Sequence, residues 1–236
     1  MQCVILAGGL GTRMWPTART VPKTLLEVAG RPFADWQLEW LAQAGTSSVV
    51  YCIGYLGDQV RAHVGGGEAW GVAVDYVDEG EQLRGTAGAL RLALDQGVLD
   101  DRFLVLYGDS WLQVDPGDVF RVAESSGHPA LMTVFENAGE LDASNVVYAD
   151  GLVRRYEKGL DPAPPEMRWI DYGLSVFSRE VIEDRVPSGS PYDLARVCTE
   201  LATEGDLAGY LVHDRFYEIG SPEGREETSL LLRRRG

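Results

Sequence analysis

Leu6-Ala7-Gly8-Gly9-Leu10-Gly11-Thr12-Arg13, followed ten residues after Arg13 by Lys23, is the stretch that decides how this chain is read. A short apolar run, Cys3 to Leu6, precedes it and reads as a buried first strand. Gly8, Gly9 and Gly11 let the backbone turn sharply and leave its N–H groups uncovered, so a polyphosphate can approach closely. Arg13 and Lys23 add positive charge beside glycines that carry none. A loop of this composition directly after a first strand suits an anion, and a nucleoside triphosphate above others.

Rival readings fit less well. A dinucleotide fingerprint runs Gly-x-Gly-x-x-Gly straight into a helix. Here Gly9-Leu10-Gly11-Thr12-Arg13-Met14 ends in Met14, and Pro16 and Pro22 oppose an immediate long helix. The Gly-Lys-Ser/Thr of a Walker loop is absent. A merely structural glycine turn has no need of Arg13 and Lys23.

The 236 residues suffice for one domain with a substantial core. A composition 45% apolar and 24% charged is that of an ordinary soluble globular protein. The net charge of −15 opposes nucleic-acid or anionic-membrane partners, which require a basic face. Cys3, Cys52 and Cys198 are widely spaced and odd in number, so they read as buried thiols of a reducing cytoplasm. No signal peptide and no membrane-spanning run is read.

The first half alternates apolar runs with helical patterns, as in a mostly parallel sheet between helices. Phe33, Trp36, Trp40, Leu41 and Ala44 recur at helical spacing. Strands are expected at Ser48–Ile53, Val72–Val77 and Phe103–Tyr107, and helices at Asp58–Val64 and Thr86–Leu94. Beyond residue 130 the pattern turns antiparallel, with strands at Ala130–Phe135, Asn145–Tyr148, Val153–Tyr156 and Trp169–Phe177. Ala149-Asp150-Gly151 reads as a hairpin turn, and Pro222–Arg235 as a closing helix.

Asp109 lies just past the apolar strand that ends at Tyr107, where open α/β sheets bind ligands. That position suits a metal ligand and, equally, a solvated turn aspartate; the resemblance described below favours the metal. His63, His128 and His213 lack metal-ligand spacing and receive no catalytic role.

Ala7-Gly8-Gly9-Leu10-Gly11-Thr12-Arg13-Met14, then Pro16, then Pro22-Lys23-Thr24-Leu25-Leu26, then Val28-Ala29-Gly30-Arg31-Pro32, resembles the signature of sugar-1-phosphate nucleotidyltransferases. The short bacterial members, of the heptose-1-phosphate guanylyltransferase and N-acetylmuramate-1-phosphate uridylyltransferase types, are the most similar. The resemblance covers nearly the whole chain. It implies a Rossmann-like three-layer α/β/α fold in a single domain, with a mostly parallel central mixed sheet and a small antiparallel sugar-binding lid. Residues 1–128 would be mainly the nucleotide half, residues 129–221 mainly the sugar-phosphate half, and residues 222–236 a C-terminal helix.

The implied reaction joins a nucleoside triphosphate and a sugar 1-phosphate into a nucleoside diphosphate sugar, releasing pyrophosphate. Mg²⁺ is the implied cofactor, held by Asp109 and by Glu218 of Phe216-Tyr217-Glu218-Ile219-Gly220, where the family more often has aspartate. Arg13, Lys23 and Asp109 would be catalytic: Arg13 on the β- and γ-phosphates, Lys23 by the α-phosphate. Leu6, Ala7, Gly8, Gly9, Gly11 and Thr12 would hold the nucleotide, with the base against Glu81-Gln82-Leu83-Arg84-Gly85-Thr86-Ala87-Gly88. Gln82, Gly85, Thr86 and Gly88 are the positions for base contact, although Thr86 equally reads as an N-cap and Gly88 as a packing glycine. Arg84 is an extra residue in that motif. Glu157-Lys158 and Asp171-Tyr172-Gly173 match sugar-phosphate contacts, with Asn145 at the other side of the sugar.

GTP or UTP and a heptose- or hexose-class sugar 1-phosphate are the expected substrates of a cytoplasmic monomer or homodimer. The nearest alternative is a cytidylyltransferase acting on phosphocholine, with Trp15, Trp111, Trp169 and Tyr172 as an aromatic cage. A non-catalytic nucleotide-sugar-binding regulatory subunit is the alternative of another class, and the intact Arg13, Lys23 and Asp109 oppose it.

Overall fold

The run Gln2–Leu6 forms β1, and its apolar residues alternate between two faces that are both covered. Val4 enters one core with Val50, Val105, Leu90 and Leu201, whereas Cys3 and Ile5 enter another with Leu38, Leu41, Val60 and Val119. Burial on both faces is why the central strands are continuous apolar runs rather than alternating ones. The structure is a computed structural model that describes residues 1–9, 20–80, 82–137 and 141–234.

In chain order, β2 (Glu27–Val28) and β3 (Arg31–Pro32) form a small ribbon before α1 (Phe33–Gln43). Then come β4 (Ser48–Ile53), α2 (Gly57–Val64), β5 (Ala73–Asp78), α3 (Gly85–Asp95) and β6 (Arg102–Tyr107). A short strand β7 (Ser110–Trp111) precedes α4 (Pro116–Ser125) and β8 (Ala130–Glu136). The rest is β9 (Val146–Ala149), β10 (Leu152–Tyr156), β11 (Trp169–Ser178), α5 (Arg179–Arg185), α6 (Leu194–Glu204), β12 (Leu207–Val212), β13 (Tyr217–Glu218) and α7 (Pro222–Leu232).

The main sheet has nine strands in the order β5-β4-β1-β6-β11-β8-β12-β10-β9. The first four in that order are mutually parallel. β11 then runs antiparallel to both β6 and β8, and β12 returns parallel to β8. The antiparallel strands of the second half are thus continuous with the parallel ones. Helices α1, α2 and α4 cover one face and α3, α5 and α6 the other, which makes three layers. The turn between β9 and β10 consists of Asp150 and Gly151, both at positive φ, as a two-residue hairpin of right-handed twist requires.

Strand order locates the site. From β1 the chain steps outward to β4 and β5, then returns to the other side of β1 as β6. Neighbouring connections therefore diverge at the carboxyl ends of β1 and β6 and leave a crevice there.

Candidate active site

That crevice is a cleft of about 260 Å³. Leu6, Ala7, Gly8 and Gly9 line it from the end of β1, and Tyr107, Gly108 and Asp109 from the end of β6. The two segments are tied by the Gly108 N–H, which donates to the Leu6 carbonyl at 3.0 Å. A Cβ on Gly108 would lie 3.1 Å from that carbonyl oxygen, so any side chain there would crowd the close approach. Leu83, Gly85, Thr86 and Ala89 line the cleft from the start of α3. Gly11, Thr12 and Arg13 lie outside the described residues.

Lys23 stands at the head of a single 3-10 turn set by Pro22. Its Nζ is 2.9 Å from Asp109 Oδ2, with the two side chains 19% and 26% exposed. The segment carrying Asp109 is held by the β7–β13 ribbon, in which Ser110 pairs with Glu218. The Ile219 N–H donates to the Asp109 carbonyl at 2.9 Å. Asp109, just before β7, and Glu218, on β13, thereby come from distant parts of the chain onto neighbouring segments. Asp109 lines the cleft and offers the hard carboxylate oxygens that suit Mg²⁺, whereas Glu218 is not among the residues that line it.

The second group of expected residues gathers around Asp171. Asp171 Oδ1 accepts from the Gly173 N–H at 3.0 Å, and Oδ2 accepts from the Tyr156 hydroxyl at 3.2 Å. Lys158 Nζ is 4.0 Å from Oδ2, and the Asp171 side chain is 9% exposed. Asn145 Oδ1 accepts from the Asp171 N–H at 2.9 Å. Lys158 Nζ also lies 5.6 Å from the centre of the Tyr107 ring, which joins this cluster to the nucleotide cleft. Burial first, then the Asp171 charge, pushes the Tyr107 and Tyr156 hydroxyls up, so both stay protonated. The register of β11 against β8 shifts between Asp171 and Ser175, and Gly173 sits in that bulge at positive φ.

Several expected contacts fall elsewhere. Gly88 faces the α5–α6 connection: its N–H donates to the Tyr192 carbonyl at 3.1 Å, and a Cβ would meet Ser190 O at 3.1 Å. Gly88 packs there and does not line the cleft. The Thr86 hydroxyl donates to Asp193 Oδ1 and accepts from the Leu194 N–H, so it caps α6 and not its own helix. Gln82 is exposed and does not line the cleft. The Glu157 carboxylate turns to Arg155 Nη2 at 2.8 Å, outside the Asp171 cluster. No aromatic cage forms among the described residues. Trp111 packs on Trp40, Trp169 on Tyr148, and Tyr172 on Phe135 and Phe216. Cys3, Cys52 and Cys198 are buried free thiols, pushed up by burial.

Sequence reading missed Glu79. This carboxylate lines the cleft, is 7% exposed, and accepts from the Arg84 N–H at 2.9 Å. Burial is the largest cause that raises its pKa. The available signal was its position immediately after β5, equivalent to that of Asp109 after β6.

Residues 2–232 match the nucleotidyl transferase family. The chain belongs to that family. The N-acetylmuramate alpha-1-phosphate uridylyltransferase of Caulobacter vibrioides is 31% identical over 232 residues, covering 94% of this chain and 93% of that protein. The mannose-1-phosphate guanylyltransferase of Mycobacterium tuberculosis is 30% identical over 229 residues, covering 94% of this chain and 62% of that protein. A UTP–glucose-1-phosphate uridylyltransferase of Synechocystis is 29% identical, and this chain spans 58% of its length. The fold agrees with that of HddC from Yersinia pseudotuberculosis complexed with GMP-PN, at a TM-score of 0.78 and 22% identity over 98% of this chain and 99% of that one. A UDP-glucose pyrophosphorylase complexed with UDP-glucose gives 0.80 at 17% identity over 100% and 99%. Among the described residues, no helix is long and apolar enough to cross a membrane.

Proposed function

We propose that this nucleotidyl transferase joins a nucleoside triphosphate to a sugar 1-phosphate, giving a nucleoside diphosphate sugar and pyrophosphate. The observation that carries the reading is the Lys23–Asp109 pair in the crevice between β1 and β6, beside the Asp171–Lys158 cluster. The first centre suits a triphosphate and the second a phosphorylated polyol.

The chemistry asks for positioning and charge neutralisation rather than covalent catalysis. A phosphate oxygen of the sugar 1-phosphate forms the new bond to the α-phosphorus. The bond from that phosphorus to the bridging oxygen breaks, and pyrophosphate departs with the electron pair. Lys23 offsets charge at the α-phosphate, and Arg13 stabilises the departing pyrophosphate. Lys158 holds the sugar's own phosphate, while Asp171 and Asn145 accept from or orient its hydroxyls. Asp109 and Glu218 would hold Mg²⁺, which when bound supplies positive charge to phosphate oxygens. GTP or UTP with a hexose- or heptose-class sugar 1-phosphate is favoured, in keeping with the uridylyl- and guanylyltransferase relatives. A cytoplasmic site of action suits these substrates.

The test is pyrophosphate release with Mg²⁺, each nucleoside triphosphate being paired with a panel of sugar 1-phosphates and with phosphocholine. Turnover with one nucleotide and one sugar phosphate supports the reading. Turnover confined to CTP and phosphocholine, or none with any pair, rejects it.

A further inference from the structure

Gln37, on α1, is fully buried, and the reaction above gives it no role. Its Nε2 donates to the Tyr107 carbonyl at 3.1 Å and to the Ser110 carbonyl at 2.9 Å. Both partners only accept, so the amide nitrogen must face them, and Oε1 is left buried without a partner among the described residues. An apolar side chain of the same size would avoid that orphaned acceptor, so packing alone does not call for glutamine here. The two carbonyls stand on either side of Gly108-Asp109. Between them, the Gly108 N–H donates to the Leu6 carbonyl, and the Asp109 carbonyl accepts from the Ile219 N–H. The same helix is tied to Lys23. The Leu26 N–H donates to the Lys23 carbonyl at 3.0 Å, and the Leu26 carbonyl accepts from the Phe33 N–H at 3.0 Å. Phe33 opens α1, and Gln37 stands about one turn further on.

We propose that Gln37 is a positioning residue for nucleotidyl transfer, fixing the Asp109 segment against the Lys23 segment at the cleft. This rests on the transferase reading above. The amide bridges both ends of the turn from Tyr107 to Ser110, so Asp109 cannot swing without breaking its two hydrogen bonds. Its partners are main-chain oxygens, so its influence on the reacting phosphates passes through Asp109 and Lys23, whose side chains lie 2.9 Å apart. Groups that act on transition-state charge lose much of their effect when displaced by about 1 Å.

Gln37→Met keeps the length of the side chain and removes both donors. Its kcat for pyrophosphate release should fall by about 10- to 100-fold, while the KM for the sugar 1-phosphate holds within about threefold. Added to Asp109→Ala, the same change should cost less than about threefold more, because it acts through Asp109; a role in the fold alone would multiply the two losses. Hydrogen exchange on the substrate-free protein reads the strut apart from turnover. The Gly108 and Ile219 amides should exchange at least about tenfold faster in the variant, with those of Leu104 and Val105 unchanged. Gln37→Asn, whose amide falls one methylene short, replaces the methionine variant if thermal unfolding shows that one to be unfolded. Unchanged kcat, unchanged exchange at Gly108, or full multiplication of the two losses overturns the inference. Faster exchange without transfer by the wild type from any sugar 1-phosphate would uphold Gln37 as the holder of Asp109 while rejecting the transferase reading. Wild-type transfer with an unaltered kcat in the variant would reject Gln37 alone.

Discussion

Lys23 Nζ and Asp109 Oδ2, separated by 86 residues in sequence, lie 2.9 Å apart at the carboxyl ends of two adjacent parallel strands. The ammonium thus partly neutralises a carboxylate that, on the function proposed above, would hold Mg²⁺. Asp109→Ala should lower pyrophosphate release by about a thousandfold or more, since it removes a group that acts on transition-state charge. The pair is partly exposed, so the fold should lose little. Steady-state rates and a thermal scan check this together; near-normal turnover would remove Asp109 from the centre.

Lys158 faces Asp171 and the Tyr107 ring, whereas Lys23 pairs with Asp109. Lys158→Ala should raise the KM for the sugar 1-phosphate by about tenfold, in line with one charge-assisted contact, and leave that for the nucleotide nearly unchanged. Equal effects on both constants would contradict the division of the site into two parts.

What could be read in the sequence was what local pattern dictates. The run Cys3–Leu6, the glycines behind it, and the strand ending before Gly108-Asp109 were legible because strands buried on both faces are unbroken apolar runs. The strand β12 was not assigned, for Gly209 interrupts it and a glycine in such a run reads as a turn. The structure supplies the reason: a Cβ at Gly209 would lie 2.4 Å from the Tyr148 ring, which crosses the strand there. Glu79 was hidden similarly. Asp78-Glu79-Gly80-Glu81 has the composition of a solvated turn, and only the approach of Gly8 and Arg84 buries its second member. The packing of Gly88 against Ser190–Tyr192 was not legible, because that partner lies about a hundred residues away.

Burial outweighs the Arg84 N–H and the Arg84 charge at Glu79, and Asp78 acts in the same direction as burial. A carboxylate whose pKa is raised on folding destabilises the fold above its ordinary pKa, and that penalty fades as pH falls through the folded value. At about pH 7, Glu79→Gln should therefore unfold at a higher temperature than wild type, by about 2–4 °C for each kcal/mol relieved in a chain of this size. The gap should shrink toward about pH 4, where both side chains are neutral. Thermal scans across this range decide it, and a gap that widens on acidification would reverse the sign.

Thr133, fully buried in β8, repairs the bulge that carries Gly173. Its hydroxyl donates to the Leu174 carbonyl at 2.6 Å and accepts from the Leu174 N–H at 3.3 Å. Thr133→Val keeps the shape and leaves both backbone groups without partners, so it should cost about 1–3 kcal/mol in denaturant unfolding. Because the bulge sets where Asp171 meets Lys158 and Tyr156, the KM for the sugar 1-phosphate should also rise, whereas nucleotide affinity should hold. A loss of stability with both substrate constants intact would mean that β11 keeps Asp171 in place without the bulge. A matching rise in KM for both substrates would mean that the two halves of the site are not separable.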